Sequence, residues 1–507
     1  MTTPDPAPTA VPETLDGPPK DVLRTLRDPA TIRLRCAEVT RAVENNVSPH
    51  FTLDRTRLDD VAARVEAVIR RRFPDLRIPL HSRWRHFEAG GVDRRAELDA
   101  RLAGRSALDR ARAQIDLTVV SVLLDAGAGS KWQYTEHRKS AQAALPVHRQ
   151  GRDDLLAMLD AAAKGRAAEP SAASGETASG ETAEAPAAEG SGEAAASVTP
   201  PPAAAPVAPD AAAPRFARSE GLGVATFRAF LDGVFSADRD DPLRADAATL
   251  QQMDAAAVRA LFQSSPSNPL MGLEGRAGLM TRLGSALHLW RHGPDGDIAL
   301  PLRPSAVLEP LTEGFTRAEV PAAELFGVLL RAFAPIWTSG SRVLGAQAGD
   351  VWPHRWSGDA VGGGRDPTTV GWVPFHKLTQ WLTYSLLEPL QWAGVKVTGL
   401  DALTGLPEYR NGGLLLDAGV IVPRVAADLD RVWTPRDEFI VEWRALTVTL
   451  LDEVAERVRA RLGLDAEALP LPCVLEGGTW AAGREIAAER RSGGAPPLRL
   501  DSDGTVF

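Results

Sequence analysis

Apolar residues recur at helical spacing along most of this chain. Leu58, Val61, Val65, Val68, Ile69 and Phe73 share one face and stop at Phe73-Pro74-Asp75, which predicts a helix ending there. Residues 115–124 extend an apolar segment from the Arg-rich helix before them, and Val224, Phe227, Leu231 and Val234 repeat the period. A helix over 255–262 gives way to the turn-rich SSPSNP stretch. Further helices are expected over 279–289, 322–333, 375–392 and 440–462. The last carries Ile440, Trp443, Leu446, Leu450, Val454 and Val458 on one stripe. Strand-like alternation is scarce, and 414–422 is its best candidate. The expected fold is mainly α, a multi-helix globular body with a few short strands.

One stretch breaks the pattern. Residues 167–214 contain no Lys, Arg or aromatic side chain, and hold seven acids among Ala, Pro, Gly, Ser and Thr. Such a composition cannot bury enough apolar surface to offset chain ordering, so a disordered insert is expected. It would divide one helical body into a first half, 21–166, and a second half, 215–507, behind a disordered tail over 1–20. The formal charge is −9, from 57 Lys+Arg against 66 Asp+Glu. Most of that excess sits in the insert, and a nearly neutral remainder argues against nucleic acid as the partner. Two cysteines, Cys36 and Cys473, exclude a disulfide framework or a Cys-rich zinc site and read as core thiols. The longest aliphatic run falls well short of a membrane span, and the N-terminus lacks a secretory pattern, so a cytoplasmic protein is expected.

No Walker loop, dinucleotide fingerprint, nucleophile elbow or HExxH motif is present, and the Gly-rich run 362–365 lacks the Lys-Ser/Thr that would make it a phosphate loop. Candidate chemistry lies in four clusters. On the 375–392 helix, Lys377, Gln380, Tyr384 and Glu388 form a second stripe beside the core face, which is either solvated or a site where a Lys binds a phosphate or sugar hydroxyl. In LTGLPEYRNGG, Pro407 and two glycines bracket Glu408, Tyr409 and Arg410, an acid, a phenol and a guanidinium suited to steadying a cationic transition state. HSRWRHFEAGGVDR holds His81, Arg83, Arg85 and His86. The histidines are five apart, not the four that one helix face needs for a shared metal, which leaves a substrate loop or a buried Arg–carboxylate network. LEGGTWAAGR reads as a Gly-Gly turn, a Thr cap and a helix start open to an anion.

At these clusters the chain resembles the uracil-catabolism protein family, the fourth component of a fungal and bacterial uracil-degradation gene set. The likeness runs from about Thr25 to Phe507 outside the insert and rests on HSRWRHFEAGGVDR, DLTVVSVLLDAGAG, FARSEGLGVATF, NPLMGLEGRAGL, VPFHKLTQWLTYSLLEPL, LTGLPEYRNGGLLLD and EGGTWAAGR. More distantly, Phe375-His376-Lys377, Gln380, Leu403-Thr404 and Glu408-Tyr409-Arg410 are similar in order and spacing to the queuosine-salvage nucleoside-phosphate glycosylases, with Glu408 where those carry Asp. That resemblance implies a DNA-glycosylase-like helical fold.

The route implied by the first resemblance opens the pyrimidine while ribose is still attached. Together the two resemblances imply an N-glycosyl hydrolase that releases urea or a ureido fragment from a ribosylurea-type substrate, free or as its 5-phosphate. Glu408 and Lys377 would be catalytic, Gln380, Tyr409 and Arg410 would position the substrate, and His81, Arg83, Arg85 and His86 would contact phosphate or protonate the leaving group. No metal or organic cofactor is required, and other uracil-degradation enzymes are the expected partners. The alternatives are a metal-dependent ureido hydrolase using His81, His86, His354 or His376, and a non-catalytic pathway partner.

Overall fold

The computed structural model describes residues 19–125, 127–129, 131–137, 213–292, 300–338, 340–358 and 367–501. The expected tail and insert lie outside the described residues apart from their last two positions each, and the Gly-rich run 362–365 lies outside them entirely.

Local sequence accounts for the long helices. Leu58–Arg72 has Asp59 and Asp60 in its first turn and three arginines in its last, opposing the helix dipole at both ends, and buries Leu58, Val61, Val65, Val68 and Ile69. Ser106 caps Ala107–Leu123 by accepting from the Asp109 amide at 3.1 Å. From Ala111 onward this helix is buried on almost every side, because it packs against Arg218–Leu231, Pro304–Val307 and Lys377–Trp392. A second layer is built on Glu438–Leu462, which lies against Pro29–Glu44 and Leu58–Arg72. The fold is mainly α.

Strands occur only in two-stranded pairs among the described residues. Two of them join the halves: Phe51–Leu53 runs antiparallel to Ile421–Pro423, and Gln133–Thr135 runs antiparallel to Arg215–Ala217. Described residues on both sides of the insert accordingly belong to one unit. The strand expected over 414–422 is corrected: Tyr409–Asp417 is a helix, and only Ile421–Pro423 is extended. The Leu414–Leu416 run continues a helix whose start is capped, and a cap outweighs a weak alternation.

Two glycines set the spacing around that helix. A Cβ at Gly412 would come within 2.5 Å of the Trp443 ring, and one at Gly483 within 2.3 Å of the Arg410 carbonyl oxygen. Tyr409–Asp417 is thereby held close to both Glu438–Leu462 and Trp480–Arg490. Cys36 and Cys473 are free and buried. Among the described residues, no helix is long and apolar enough to cross a membrane.

Candidate active site

Lys377 is placed by a strained turn. Trp372–Pro374 pairs with Val351–Pro353, and the chain then reverses through His376 at φ 47° before Lys377–Trp392 begins. A left-handed histidine needs outside support. Its Nε2 lies 2.9 Å from the Leu26 carbonyl oxygen, and Asp350 accepts the Lys377 amide at 3.0 Å. Asp350 also receives both Arg444 Nη groups, at 2.7 and 2.8 Å, and Trp352 Nε1 at 2.6 Å. Burial alone would raise the Asp350 carboxyl, but Arg444 and these donors hold it below the usual range. Among the described residues, the Lys377 ammonium has no hydrogen-bond or ion-pair partner. Burial lowers its pKa, and the carboxylates Glu408, Asp125 and Asp350 oppose that shift.

Glu408 is an N-cap. Its two carboxyl oxygens accept the Arg410 and Asn411 amides at 2.8 and 2.7 Å, so the LPEYRNGG segment is a capped helix start rather than a free loop. The side chain is 6% exposed. Burial pushes its carboxyl above the ordinary value, while the two amides and Lys377 pull the other way. Arg410 stacks on the Tyr409 ring, 5.0 Å from its centroid.

The HSRWRHF segment divides its side chains by direction. Arg83 is fully buried and bonds Ser121 at 2.7 Å and Asp125 at 2.5 Å. Arg85 pairs with Glu388 at 2.6 Å and with Glu88. His81 meets Glu476 at 2.9 Å through Nδ1. His86 lies edge-on to Trp381, and its Nδ1 has no partner. Burial, reinforced by Arg83, His81 and Arg85, drives the His86 pKa far down, so the ring is neutral at physiological pH. The Thr-capped helix start expected in LEGGTWAAGR is corrected: Leu471–Val474 runs through a π turn, Leu475–Thr479, into Trp480–Arg490. Thr479 is itself helical and donates to Asn411 Oδ1 at 2.9 Å, so no amide array faces an anion there. The wide turn instead carries Glu476 to His81.

Seven of the nine expected site residues line one cavity of about 1040 Å³: Lys377, Glu408, Tyr409, Arg410, His81, Arg85 and His86. Gln380 and Arg83 do not. Gln380 is fully buried, and its amide joins the helix to the next loop, donating to Thr404 Oγ1 at 2.6 Å and accepting the Thr404 amide at 2.8 Å. Tyr384 likewise donates to the Thr404 carbonyl at 2.9 Å, so the stripe on this helix faces protein rather than solvent. Sequence reasoning missed Asp125, Arg218, Glu476 and Trp480, which also line the cavity. The signal for Asp125 was an acid ending a long apolar run just before Gly127. Burial raises its carboxyl, while Arg83 and the Ser219 hydroxyl oppose the rise.

Among the described residues, no three His, Cys, Asp or Glu side chains converge as a metal site would require. The arrangement offers a buried ammonium, two perturbed carboxyls, a neutral imidazole and aromatic faces, a set suited to acid–base chemistry on a polar small molecule.

A family model described as "Protein of unknown function (DUF1688)" matches residues 25–152 and 208–507, leaving most of the expected insert unmatched. Protein urg3 of Schizosaccharomyces pombe is 32% identical over 483 residues, covering 94% of this chain and 96% of that protein. Uracil catabolism protein 4 of Lachancea kluyveri is 32% identical over 509 residues, covering 94% of this chain and 97% of its own length. With a likeness that spans nearly the whole of each sequence, and the cavity residues drawn from the matched segments, this chain belongs to the DUF1688 family.

Proposed function

We propose that this protein acts in uracil catabolism as an N-glycosyl hydrolase that cleaves the bond between ribose C1 and a ureido nitrogen. The observation that carries the reading is the presence of Lys377 and Glu408, each perturbed by burial and each influencing the other, in the lining of one cavity. The pathway is drawn from the name of the Lachancea kluyveri relative.

In this reaction the C1–N bond breaks, the oxygen of a water molecule bonds to C1, and the departing nitrogen gains a proton. Positive charge develops on the sugar, and the Glu408 carboxylate steadies it, orients the water and takes its proton. A carboxyl raised by burial is a better base than an ordinary one, and the Lys377 ammonium favours its ionised form. Lys377, with no other partner among the described residues, binds a sugar hydroxyl. His81, held by Glu476 through Nδ1, turns its second nitrogen to the leaving group and as the imidazolium gives it the proton that the departing nitrogen gains.

The test is urea release from ribosylurea and from its 5-phosphate. Wild type should release urea from at least one of them, and Glu408→Gln should lower the rate at least about a hundredfold. A folded wild type inert on both, or a fully active variant, removes the assignment.

The metal-dependent alternative needs its histidines together. His81 and His86 line the cavity, whereas His354 is fully enclosed against Glu442 and His376 is bound to Leu26. A purely non-catalytic partner would suit a body closed at Lys377 and Glu408, and both line an open cavity.

A further inference from the structure

Arg218 and Arg410 meet at one short loop. Arg218 Nη2 donates to the Gly493 carbonyl at 3.4 Å and Arg410 Nη1 to the Gly494 carbonyl at 3.1 Å, so two guanidinium groups are moored to consecutive residues at the cavity lining. Among the described residues, neither has a carboxylate partner. Three further arginines of the lining are matched: Arg72 with Glu476, Arg85 with Glu88 and Glu388, and Arg484 with Glu220.

None of the carboxylates lining the cavity pairs with Arg218 or Arg410. Asp125 is taken by Arg83, Glu476 by Arg72 and His81, and Glu408 by two backbone amides. Two guanidinium groups moored to consecutive carbonyls of one loop offer an anion two charged donors at once. Arg410 makes the point sharper. It is 4% exposed, and its Nε has no hydrogen-bond partner. A buried N–H left unmade is expensive, and stacking on Tyr409 fixes the plane of the fork that would use it.

We propose that this part of the cavity is a phosphate-monoester subsite. Arg410 and Arg218 grip a dianionic phosphate through forked, charge-assisted hydrogen bonds, which suit guanidinium groups better than a point charge. Arg215, exposed on the lining and without a carboxylate partner among the described residues, adds attraction at the edge. The ligand class is a pentose phosphate, with its sugar toward Lys377 and Glu408. Resting on the hydrolase reading above, the substrate is then the ribosylurea 5-phosphate rather than the free ribosylurea.

Calorimetric titration of the full-length protein with ribose 5-phosphate, ribose and inorganic phosphate tests this directly. Ribose 5-phosphate should bind at least about tenfold tighter than ribose, weaken as salt rises, and be competed by inorganic phosphate. Arg218→Gln, at an exposed position, should weaken ribose 5-phosphate by about tenfold and leave ribose unchanged. Arg410→Lys, which keeps the charge but loses the fork, should weaken it too. Equal affinity for ribose and its phosphate overturns the subsite, as does phosphate binding that fails to compete, or wild-type affinity in both variants. Binding is read without turnover, so the two readings fail separately. A protein that binds the phosphate but never releases urea keeps the subsite and loses the hydrolase, and one that hydrolyses both ribosylureas equally does the reverse.

Discussion

Asp350 and Glu408 do the same structural job at two helix starts and end in opposite states. Each is a buried carboxylate that accepts backbone N–H, Asp350 from one amide at Lys377–Trp392 and Glu408 from two at Tyr409–Asp417. Asp350 also receives a two-pronged Arg444 and the Trp352 indole, lies outside the cavity, and is held below the usual carboxyl range. Glu408 receives nothing but its two amides, lines the cavity, and is pushed above that range. Burial and the carboxylate group are shared; what differs is whether a cation has filled the remaining acceptor capacity. A filled carboxylate fixes geometry, and an unfilled one beside empty space is available for chemistry.

The largest effect that could break this comparison is on stability. Arg444→Met leaves Asp350 charged and unpaired, and should cost about 3–5 kcal/mol of unfolding free energy in urea titration. Glu408→Gln removes no cation and keeps an acceptor for one amide, so it should cost about 1 kcal/mol or less. Equal losses would mean that Glu408 is as structural as Asp350.

Lys377→Met sharpens the contrast from the cationic side. Burial works against the charged form of Lys377, and no hydrogen bond compensates it, so its loss should leave the thermal midpoint unchanged or raised while turnover falls. A lowered midpoint would show that the ammonium has a structural partner after all.

The smallest effect is in pH. Glu408 keeps its proton to higher pH when folded, so its contribution to stability is full below the ordinary value of 4.5 and is lost as pH rises through the folded value. Asp350 runs the other way, contributing above 3.8 and losing that contribution as pH falls through its depressed value. Midpoints of Glu408→Gln and wild type, measured from pH 4 to 7, should therefore show the variant gaining on wild type as pH increases. A constant difference would contradict the raised carboxyl.

The helices were largely legible in the sequence, and the site only in part. Leu58–Arg72 and Glu438–Leu462 follow from apolar spacing and end signals, because those patterns act over a few residues. Lys377, Glu408 and Arg410 were visible as chemistry-bearing residues in short, aromatic- and Gly-flanked segments. Gln380 shares a helix stripe with Lys377, yet its amide is used up by Thr404; Arg83 and Arg85 are two positions apart, yet only Arg85 lines the cavity.

The sequence by itself determined where this chain can be helical and which segments carry polar chemistry. Only the tertiary structure decided which of those polar groups are spent and which are open. Hydrogen bonds and ion pairs are filled by partners far away in the chain, as Glu476 is for His81 and Arg444 for Asp350. Pairing of that kind depends on how the helices pack, and no local pattern records it.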